Sequence, residues 1–185
     1  MTEAAARQNE ALNLRPATPA DVPQILAFVR DLAAYEREPD AVYATEADLL
    51  RDGFGETKRF DCVIAELTAA NATTPVGFAL YFHNYSTWRG HAGIHVEDLY
   101  VSVEHRGKGI GKALLTKVAA IAVAEGCTRL QWDVLEWNTP AIGFYEQMGA
   151  KMLMDWRTMR VTGEDLPALA RQSGQLSLRS FRHHL

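Results

Sequence analysis

Three glycines at alternate positions, in the segment HRGKGIGKALL (residues 105–115), stand directly before an apolar stretch with helical spacing. Glycine inside a helix costs about 1 kcal/mol relative to alanine, so three of them at a helix entrance indicate a local purpose. Between a strand and a helix, glycines let backbone N–H groups approach an anion, and the helix dipole favours negative charge there. The segment predicts a phosphate-binding loop; the alternative is a turn that only tightens strand-to-helix packing.

The spacing of these glycines excludes two common phosphate-binding motifs. A Walker A loop requires Ser or Thr after its GK pair, whereas Ala113 follows Gly111-Lys112. A dinucleotide fingerprint starting at Gly109 requires a further glycine where the chain has Leu114. The pattern that remains is RGxGxG, with Arg106 before the first glycine.

Composition restricts the class of protein. The 185 residues predict one domain, and 48% hydrophobic with 23% charged residues is typical of a soluble globular chain. A net charge of −4 argues against broad nucleic-acid or anionic-membrane binding and favours a small cationic partner. No apolar run is as long as a membrane-spanning helix requires, and the polar start MTEAAARQNEA has no apolar core of a secretory signal. Residues 1–10 are expected to be a disordered leader.

Two cysteines, Cys62 and Cys127, lie in strand-like apolar surroundings. This placement predicts buried reduced thiols in a cytoplasmic protein, with a disulfide or a reactive pair as alternatives that no CxxC spacing supports. Two histidines, His91 and His95, are four residues apart in a predicted strand, which separates them by about 13 Å and is too far for a shared metal. No metal site is predicted.

Periodicity divides the chain into elements in the order β-α-α-β-β-β-α-β-α-β, which predicts an α/β (α+β) fold with a mixed sheet. Thr45 and Asp48 predict a capping box at the second helix. The predicted strands are residues 11–18, 59–67, 76–85, 91–103, 130–138 and 151–161. The first predicted helix begins at Pro19 and the second covers 45–53. The third follows the glycine segment and ends near residue 125, and the fourth covers 139–149. A short helix is also predicted at EDLPALARQ in the tail.

The chain resembles the GNAT family of acetyl-CoA-dependent N-acetyltransferases, whose signature R/Q-x-x-G-x-G/A is matched by Arg106, Gly109 and Gly111. Over residues 14–161 it is similar to the branch that acetylates spermidine, spermine or other diamines and thialysine. The segments that carry this similarity are LRPATPAD, YE, DLLRDGFGE, VGFALYF, EDLYVSVEHRGKGIGKALL, EWNTPAIGFYEQMGA and WR.

This resemblance implies a fold and an organisation. It implies a GNAT fold, with a mostly antiparallel sheet of about seven strands flanked by about four helices. Residues 11–162 would form the acetyltransferase domain and residues 163–185 a C-terminal tail. The protein would be a cytoplasmic homodimer that uses acetyl-CoA as cosubstrate and no metal, with its C-terminal strand at the dimer interface.

The resemblance also implies where the cofactor is held. Backbone N–H groups of Leu99, Tyr100 and Val101 would polarise the acetyl carbonyl. Asn138 would cap the following helix, bond the pantetheine arm, or do both. The pyrophosphate would be held by the loop residues Arg106, Gly107, Lys108, Gly109, Ile110, Gly111 and Lys112.

Acetyl transfer to an alkylamine requires a base, because the amine, with a pKa of about 10.4 by comparison with lysine, attacks only when neutral. Glu97 and Asp98 end the strand before the loop, and neighbours on a strand point to opposite faces. The resemblance selects Glu97, acting directly or through water; a solvated strand carboxylate is the alternative. Tyr145 matches the general acid of the family that protonates the leaving sulfur, with a core aromatic as the alternative.

The acceptor is less closely defined by the sequence. Tyr35 and Glu36 match the substrate-contacting pair of the family, and further acids that would add negative potential for a polyamine are Glu38, Asp40, Asp133 and Asp155. Each of these acids is alternatively a solvated surface group. A polyamine or diamine is the first expectation and thialysine or another amino-acid amine the second. The sequence is also compatible with acetylation of a protein amine and with a non-catalytic acyl-CoA-binding regulatory module.

Overall fold

The computed structural model describes residues 10–69 and 72–175. The strands are β1 (Ala11–Pro16), β2 (Asp61–Ala69), β3 (Ala72–Ser86), β4 (His91–Val101) and β5 (Leu130–Gln131). The α-helices are α1 (Val22–Tyr35), α2 (Glu46–Phe54), α3 (Ile110–Ala124), α4 (Thr139–Gln147) and α5 (Asp165–Arg171). The chain divides into two compact units, residues 1–142 and 143–185. Most of the predicted leader and the last ten residues of the predicted tail lie outside the described residues.

One mixed sheet organises the first unit, in the order β1-β2-β3-β4-β5. The first four strands are antiparallel neighbours, and β5 lies parallel to β4. This arrangement confirms the predicted α/β class and the mostly antiparallel sheet. Within the described parts of the chain, no helix is both long and apolar enough to cross a bilayer.

Both faces of the sheet are buried, because alternate residues of the central strands pack against different helices. On one face, residues such as Ala79 and Ile94 form a cluster with Leu114 of α3. On the other face, residues such as Phe78 form a cluster with Phe28 of α1, whose ring lies 5.6 Å from that of Phe78. The end of β4 therefore lies between two packed layers, and the glycine loop that follows it is exposed up to Ile110, which is buried.

Several predicted elements are confirmed. Thr45 caps α2 in a reciprocal pair with Asp48, and the short helix predicted in the tail is α5. The strands β2 and β3 are longer than predicted, since β2 continues to Ala69 and β3 already begins at Ala72. Cys62 is buried and Cys127 half-buried, and both are free thiols.

One predicted strand is wrong and another is much shorter than predicted, so the described residues form five strands instead of about seven. The segment 130–138 forms a strand only at Leu130–Gln131, because its end is a turn in which the Asn138 amide donates to the Leu135 carbonyl at 2.8 Å. The segment 151–161 is rich in apolar residues but is exposed throughout and has no strand partner among the described residues. Such a segment forms a strand only where a sheet edge is available to pair with it.

A carboxylate pair around Arg15 joins β1, β2 and the turn before α1. The Arg15 guanidinium donates to both oxygens of Asp21 at 2.7 Å and to Glu66 at 2.6 Å. Asp21 is buried, and the amide and the hydroxyl of Thr18 donate two further hydrogen bonds to it. The hydrogen bonds from Arg15 lower the pKa of Asp21 to about 2, against the opposing effect of burial.

We expect Asp21 to make the fold acid-sensitive. Because its pKa is depressed in the folded state, its stabilisation is present above the unfolded pKa of about 3.9 and is lost as the pH falls through the folded value of about 2. Between pH 5 and pH 2, the unfolding free energy of the wild type should fall by about 2 kcal/mol more than that of Asp21→Asn. Urea denaturation across this range measures the difference, with Asp40→Asn as an exposed control; parallel curves for all three proteins would contradict the assignment.

Candidate active site

The first feature of the candidate site is the separation of β4 from β5. The two strands pair only at Ile94 with Leu130 and at His95 with Gln131. Beyond His95, the part of the chain that the structure describes provides no strand partner for that edge of β4. Residues 96–101 of β4 therefore have a neighbouring strand, β3, on one side only.

A β-bulge at Glu97 determines which amides lie on this unpaired edge. Val96 pairs with Tyr81 and Asp98 with Leu80, which leaves Glu97 as the extra residue. Before the bulge, the amides of even-numbered residues point away from β3. The amide of Ile94, for example, donates to the Arg129 carbonyl at 3.0 Å.

After the bulge the alternation is reversed. The amide of Ser102, also even-numbered, donates to the Val76 carbonyl of the β3 side at 2.9 Å. Since backbone groups alternate along a strand, the N–H groups of Leu99 and Val101 turn to the edge that β5 leaves. Two of the three residues predicted to polarise a carbonyl therefore present their amides to this edge, and Tyr100 presents its amide to β3.

The glycine loop follows β4 and leads into α3. Gly107 and Gly109 have φ of 75° and 83°, in the left-handed region that glycine adopts without strain. Gly109 is the N-cap of α3, and its carbonyl accepts the Ala113 amide at 3.0 Å. The amides of residues 110–112 lie in the first turn, where no intrahelical acceptor exists. With the positive end of the helix dipole, they form an arrangement suited to an anion.

The Arg106 side chain makes contacts that fix the start of this loop. Its Nε donates to the Val101 carbonyl at 3.0 Å, at the unpaired edge of β4. Its guanidinium carbon lies 4.6 Å from the ring centroid of Tyr35 and 5.5 Å from that of Tyr100. The side chain of Arg106 therefore connects the loop to the end of β4 by a hydrogen bond and to α1 by a cation–π contact.

Tyr35 extends these contacts to the segment after β5. Its hydroxyl donates to Asn138 Oδ1 at 3.1 Å, and its ring lies 6.0 Å from that of Trp137. Asn138 is buried and also accepts the Ala141 amide at 3.4 Å, in the position of a helix cap. The structure thus brings the predicted residues Tyr35, Asn138 and Arg106 together into one connected group.

The two adjacent carboxylates have different environments. The Glu97 side chain is 57% exposed, with Oε2 3.7 Å from His95 Nε2. Asp98 is half-buried, and burial, followed by the charges of Glu97 and Glu36, raises its pKa to about 7. Burial also raises the pKa of Glu36. Sequence reasoning named both adjacent acids and selected Glu97, because an acid pair at the end of a strand does not show which of its members is buried.

An open cleft of about 430 Å³ is lined in part by Tyr35 and Tyr100, the two rings on which Arg106 packs. It has two carboxylates and two aromatic rings in its wall, so it combines negative charge with flat apolar surface. Such walls suit an organic cation. The lining residues are Asp31, Ala34, Tyr35, Tyr100, Ser102, Val103 and Glu104.

Two predicted site residues belong to the second unit. Tyr145 lies on α4, half-buried, with its ring 5.2 Å from that of Phe144. Its carbonyl accepts the amides of Met148 and Ala150 at 3.0 Å each, which closes the C-terminal end of the helix. Asp155 is exposed, as are the predicted first-unit acids Glu38, Asp40 and Asp133.

A group of potential metal ligands lies elsewhere in the first unit. Ligand atoms of His83, Glu125 and Cys127 lie within 4.8 Å of one another, and His83 Nε2 is 2.6 Å from Glu125 Oε2. A nitrogen, an oxygen and a sulfur donor at such separations are compatible with a zinc-type ion. None of these residues is part of the candidate active site.

Comparison with known proteins adds a family and relatives. The acetyltransferase (GNAT) family description matches residues 26–150. The chain is 40% identical over 164 residues to thialysine N-epsilon-acetyltransferase of Bos taurus, covering 85% of this chain and 96% of that one. It is 33% identical to L-ornithine N5-acetyltransferase of Arabidopsis thaliana, covering 84% and 86%.

Two further similarities concern part of a longer relative and a solved structure. The chain is 37% identical to spermidine/spermine N(1)-acetyltransferase-like protein 1 of Homo sapiens, covering 85% of this chain and 23% of that one. The structure of an integron cassette protein from the mobile metagenome of V. cholerae aligns with a TM-score of 0.72 at 26% identity, covering 88% of this chain and 99% of that one.

We expect Asp98 to titrate near neutrality. Its carboxyl ¹³C resonance, assigned by its absence in Asp98→Asn, should change with a midpoint near 7 instead of about 3.9. Glu97→Gln and Glu36→Gln should each lower this midpoint by removing a nearby negative charge, and Glu97→Gln should lower it more. A midpoint below 5 in the wild type would contradict the burial of this group.

Proposed function

The chain belongs to the acetyltransferase (GNAT) family and is an acetyl-CoA-dependent N-acetyltransferase acting on amines; from this premise we propose that its acceptor is a primary amine of a small cationic metabolite. The observation that carries the proposal is the pair of adjacent acids Glu97 and Asp98 at the unpaired edge of β4, with Glu36 close enough to act on Asp98. We assign the catalytic domain to residues 11–162 and the tail to 163–185, an assignment supported by the family match over residues 26–150.

The proposed cofactor site uses main-chain amides. When bound, acetyl-CoA supplies the thioester whose acetyl group is transferred. The loop amides from Gly107 to Lys112 would hold its pyrophosphate, a role supported by the left-handed glycines and the free first turn of α3. The amides of Leu99 and Val101 would donate to the acetyl carbonyl as negative charge develops on it. Arg106 would act by positioning this loop, since its side chain is bonded to the Val101 carbonyl.

Proton transfer is proposed to involve three side chains. Glu97, exposed at the bulge, would draw the proton from the ammonium of the acceptor, directly or through water. Asp98, with its pKa raised to about 7, is suited to accept a proton at the pH where the enzyme works. Tyr145 would donate a proton to the leaving sulfur, a role supported by its match to the family motif and by a hydroxyl that stays protonated at neutral pH.

The acceptor is proposed to be bound by negative charge. The charges of Glu97 and of Glu36 each act on Asp98, and this repulsion would be relieved by a bound ammonium group. Relatives named for thialysine, ornithine and spermidine or spermine support both a diamine and an amino acid with a terminal amine. Tyr35 and Asp155 remain proposed substrate contacts; Tyr35 also joins Arg106 to Asn138.

We further propose a cytoplasmic homodimer. In the second unit, large apolar side chains from Met152 to Val161 are exposed; for example, Met154 is 70% exposed and Met159 90%. An exposed segment so rich in apolar residues is suited to pack against another copy of the chain. Two free thiols are typical of a reducing compartment, which supports the location.

A thiol-release assay with acetyl-CoA tests the proposed function. The amine panel is spermidine, spermine, putrescine, thialysine and lysine. Release with at least one of these amines, and none with a peptide pool, would support a small acceptor. Stabilisation by coenzyme A with no release on any amine would instead favour the regulatory acyl-CoA-binding module.

Gly109→Asp should weaken coenzyme A binding about tenfold or more relative to Gly109→Asn. Both side chains tolerate a left-handed backbone, and no atom lies within 4 Å of an added Cβ, so the pair isolates the charge placed beside the pyrophosphate. Gly126→Asp, at the other end of α3 with φ of 72°, is the matched control and should leave affinity unchanged. Equal affinities for all variants by calorimetry would remove the loop from the cofactor site.

Tyr145→Phe should lower kcat by about a hundredfold or more, the usual size of a general-acid contribution, while leaving coenzyme A affinity within about twofold. Tyr43→Phe, at a tyrosine that is 88% exposed, controls for loss of a hydroxyl elsewhere. Steady-state kinetics and calorimetry on the same preparations separate the two effects. Wild-type turnover in Tyr145→Phe would exclude Tyr145 as the acid.

A further inference from the structure

We propose that Arg37 binds the α-carboxylate of the acceptor, so that the enzyme prefers an amino acid with a terminal amine to a diamine of the same chain length. The inference rests on the proposed acetyl transfer to a small amine and adds to it a carboxylate subsite. Three observations carry it: the backbone of Arg37, the placement of its guanidinium, and the acids beside it.

Arg37 has an unusual backbone for its residue type. Its φ of 69° makes it the one non-glycine residue with a positive φ in the part of the chain that the structure describes. It follows the C-cap of α1, where the left-handed conformation commonly ends a helix and glycine is the usual residue. An arginine there costs about 1 kcal/mol or more relative to glycine, which indicates that its side chain is needed.

The guanidinium of Arg37 packs against an aromatic ring and has no carboxylate partner among the described residues. Its carbon lies 4.3 Å from the ring centroid of Trp137, which in turn packs against Tyr35. Among residues 10–69 and 72–175, no carboxylate lies within 4.0 Å of it, in contrast to the doubly paired Arg15. Stacking on one face leaves the N–H groups at the guanidinium edge available, and this edge matches a carboxylate with two parallel hydrogen bonds.

The acids near Arg37 give the proposed site an end that binds ammonium, beside the end that binds carboxylate. Glu36 precedes Arg37 and interacts electrostatically with Asp98, so acids that suit an ammonium lie one residue from an unpaired cation. An amino acid with a terminal amine carries both matching charges. A diamine of equal length has the same two ammonium groups but no carboxylate, so its second cation approaches Arg37 without a compensating negative charge, and this repulsion opposes binding.

The experiment compares two acceptors that differ by one carboxylate. Ornithine and putrescine have the same chain and terminal amine, and lysine and cadaverine form a second pair. We expect the wild type to show a kcat/KM at least tenfold higher for ornithine than for putrescine. Mass spectrometry of the product should place the acetyl group on the terminal amine of ornithine.

Arg37→Met and Arg37→Gly should reduce the ornithine-to-putrescine ratio of kcat/KM by about tenfold to a hundredfold, mainly through KM for ornithine, as expected for hydrogen bonds to a charged group. Arg37→Gly also relaxes the left-handed backbone, so it keeps the test valid if Arg37→Met folds poorly. Arg30→Met, which removes an exposed arginine from α1, controls for a general loss of positive charge and should leave the ratio unchanged.

Two outcomes would overturn the carboxylate subsite alone: a wild type that uses putrescine as well as ornithine, or Arg37 variants that lose activity towards both acceptors in equal proportion. The second result would assign Arg37 to holding Trp137 in place. Failure to acetylate any of the four amines, with coenzyme A still bound, would overturn the proposed small-amine function and the subsite together.

Discussion

The separation of β4 from its parallel neighbour is the constraint on which the candidate site depends. A strand inside a sheet uses its amides to bond its neighbours, whereas the end of β4 keeps those of Leu99 and Val101 for another acceptor. The bulge at Glu97 turns these amides to the open edge and places the Glu97 and Asp98 carboxylates in different surroundings. One local irregularity therefore supplies hydrogen-bond donors and two kinds of acid at the same place.

A series of contacts between aromatic rings and guanidinium groups connects the segments that surround this edge. Arg106 packs on Tyr35, Tyr35 on Trp137 and Trp137 on Arg37, so that the loop, the end of α1 and the segment after β5 contact one another in sequence. Stacking leaves the donor edges of the guanidinium groups available for hydrogen bonds. The contacts that position these segments therefore also place two guanidinium groups, those of Arg106 and Arg37, beside the candidate site.

Much of the architecture followed from patterns that are local in the sequence. The glycine loop, the capping box at Thr45 and the alternating central strands each depend on residues close in the chain, and each has its expected structure. The segment 151–161 was predicted wrongly because pairing requires a distant edge that its pattern does not specify. The bulge and the raised pKa of Asp98 were missed for a related reason, since register and burial arise only when β3, β4 and α1 meet.

The contact between Arg106 and the Val101 carbonyl has a consequence for solubility. An unpaired strand edge is a template on which a foreign chain can add, and natural proteins guard such edges with positive charge. Arg106 occupies the last acceptor of the β4 edge and places a cation there, while the adjacent amide remains open. This charge opposes the addition of a foreign strand at the unpaired edge, while the edge keeps amides that a ligand can use.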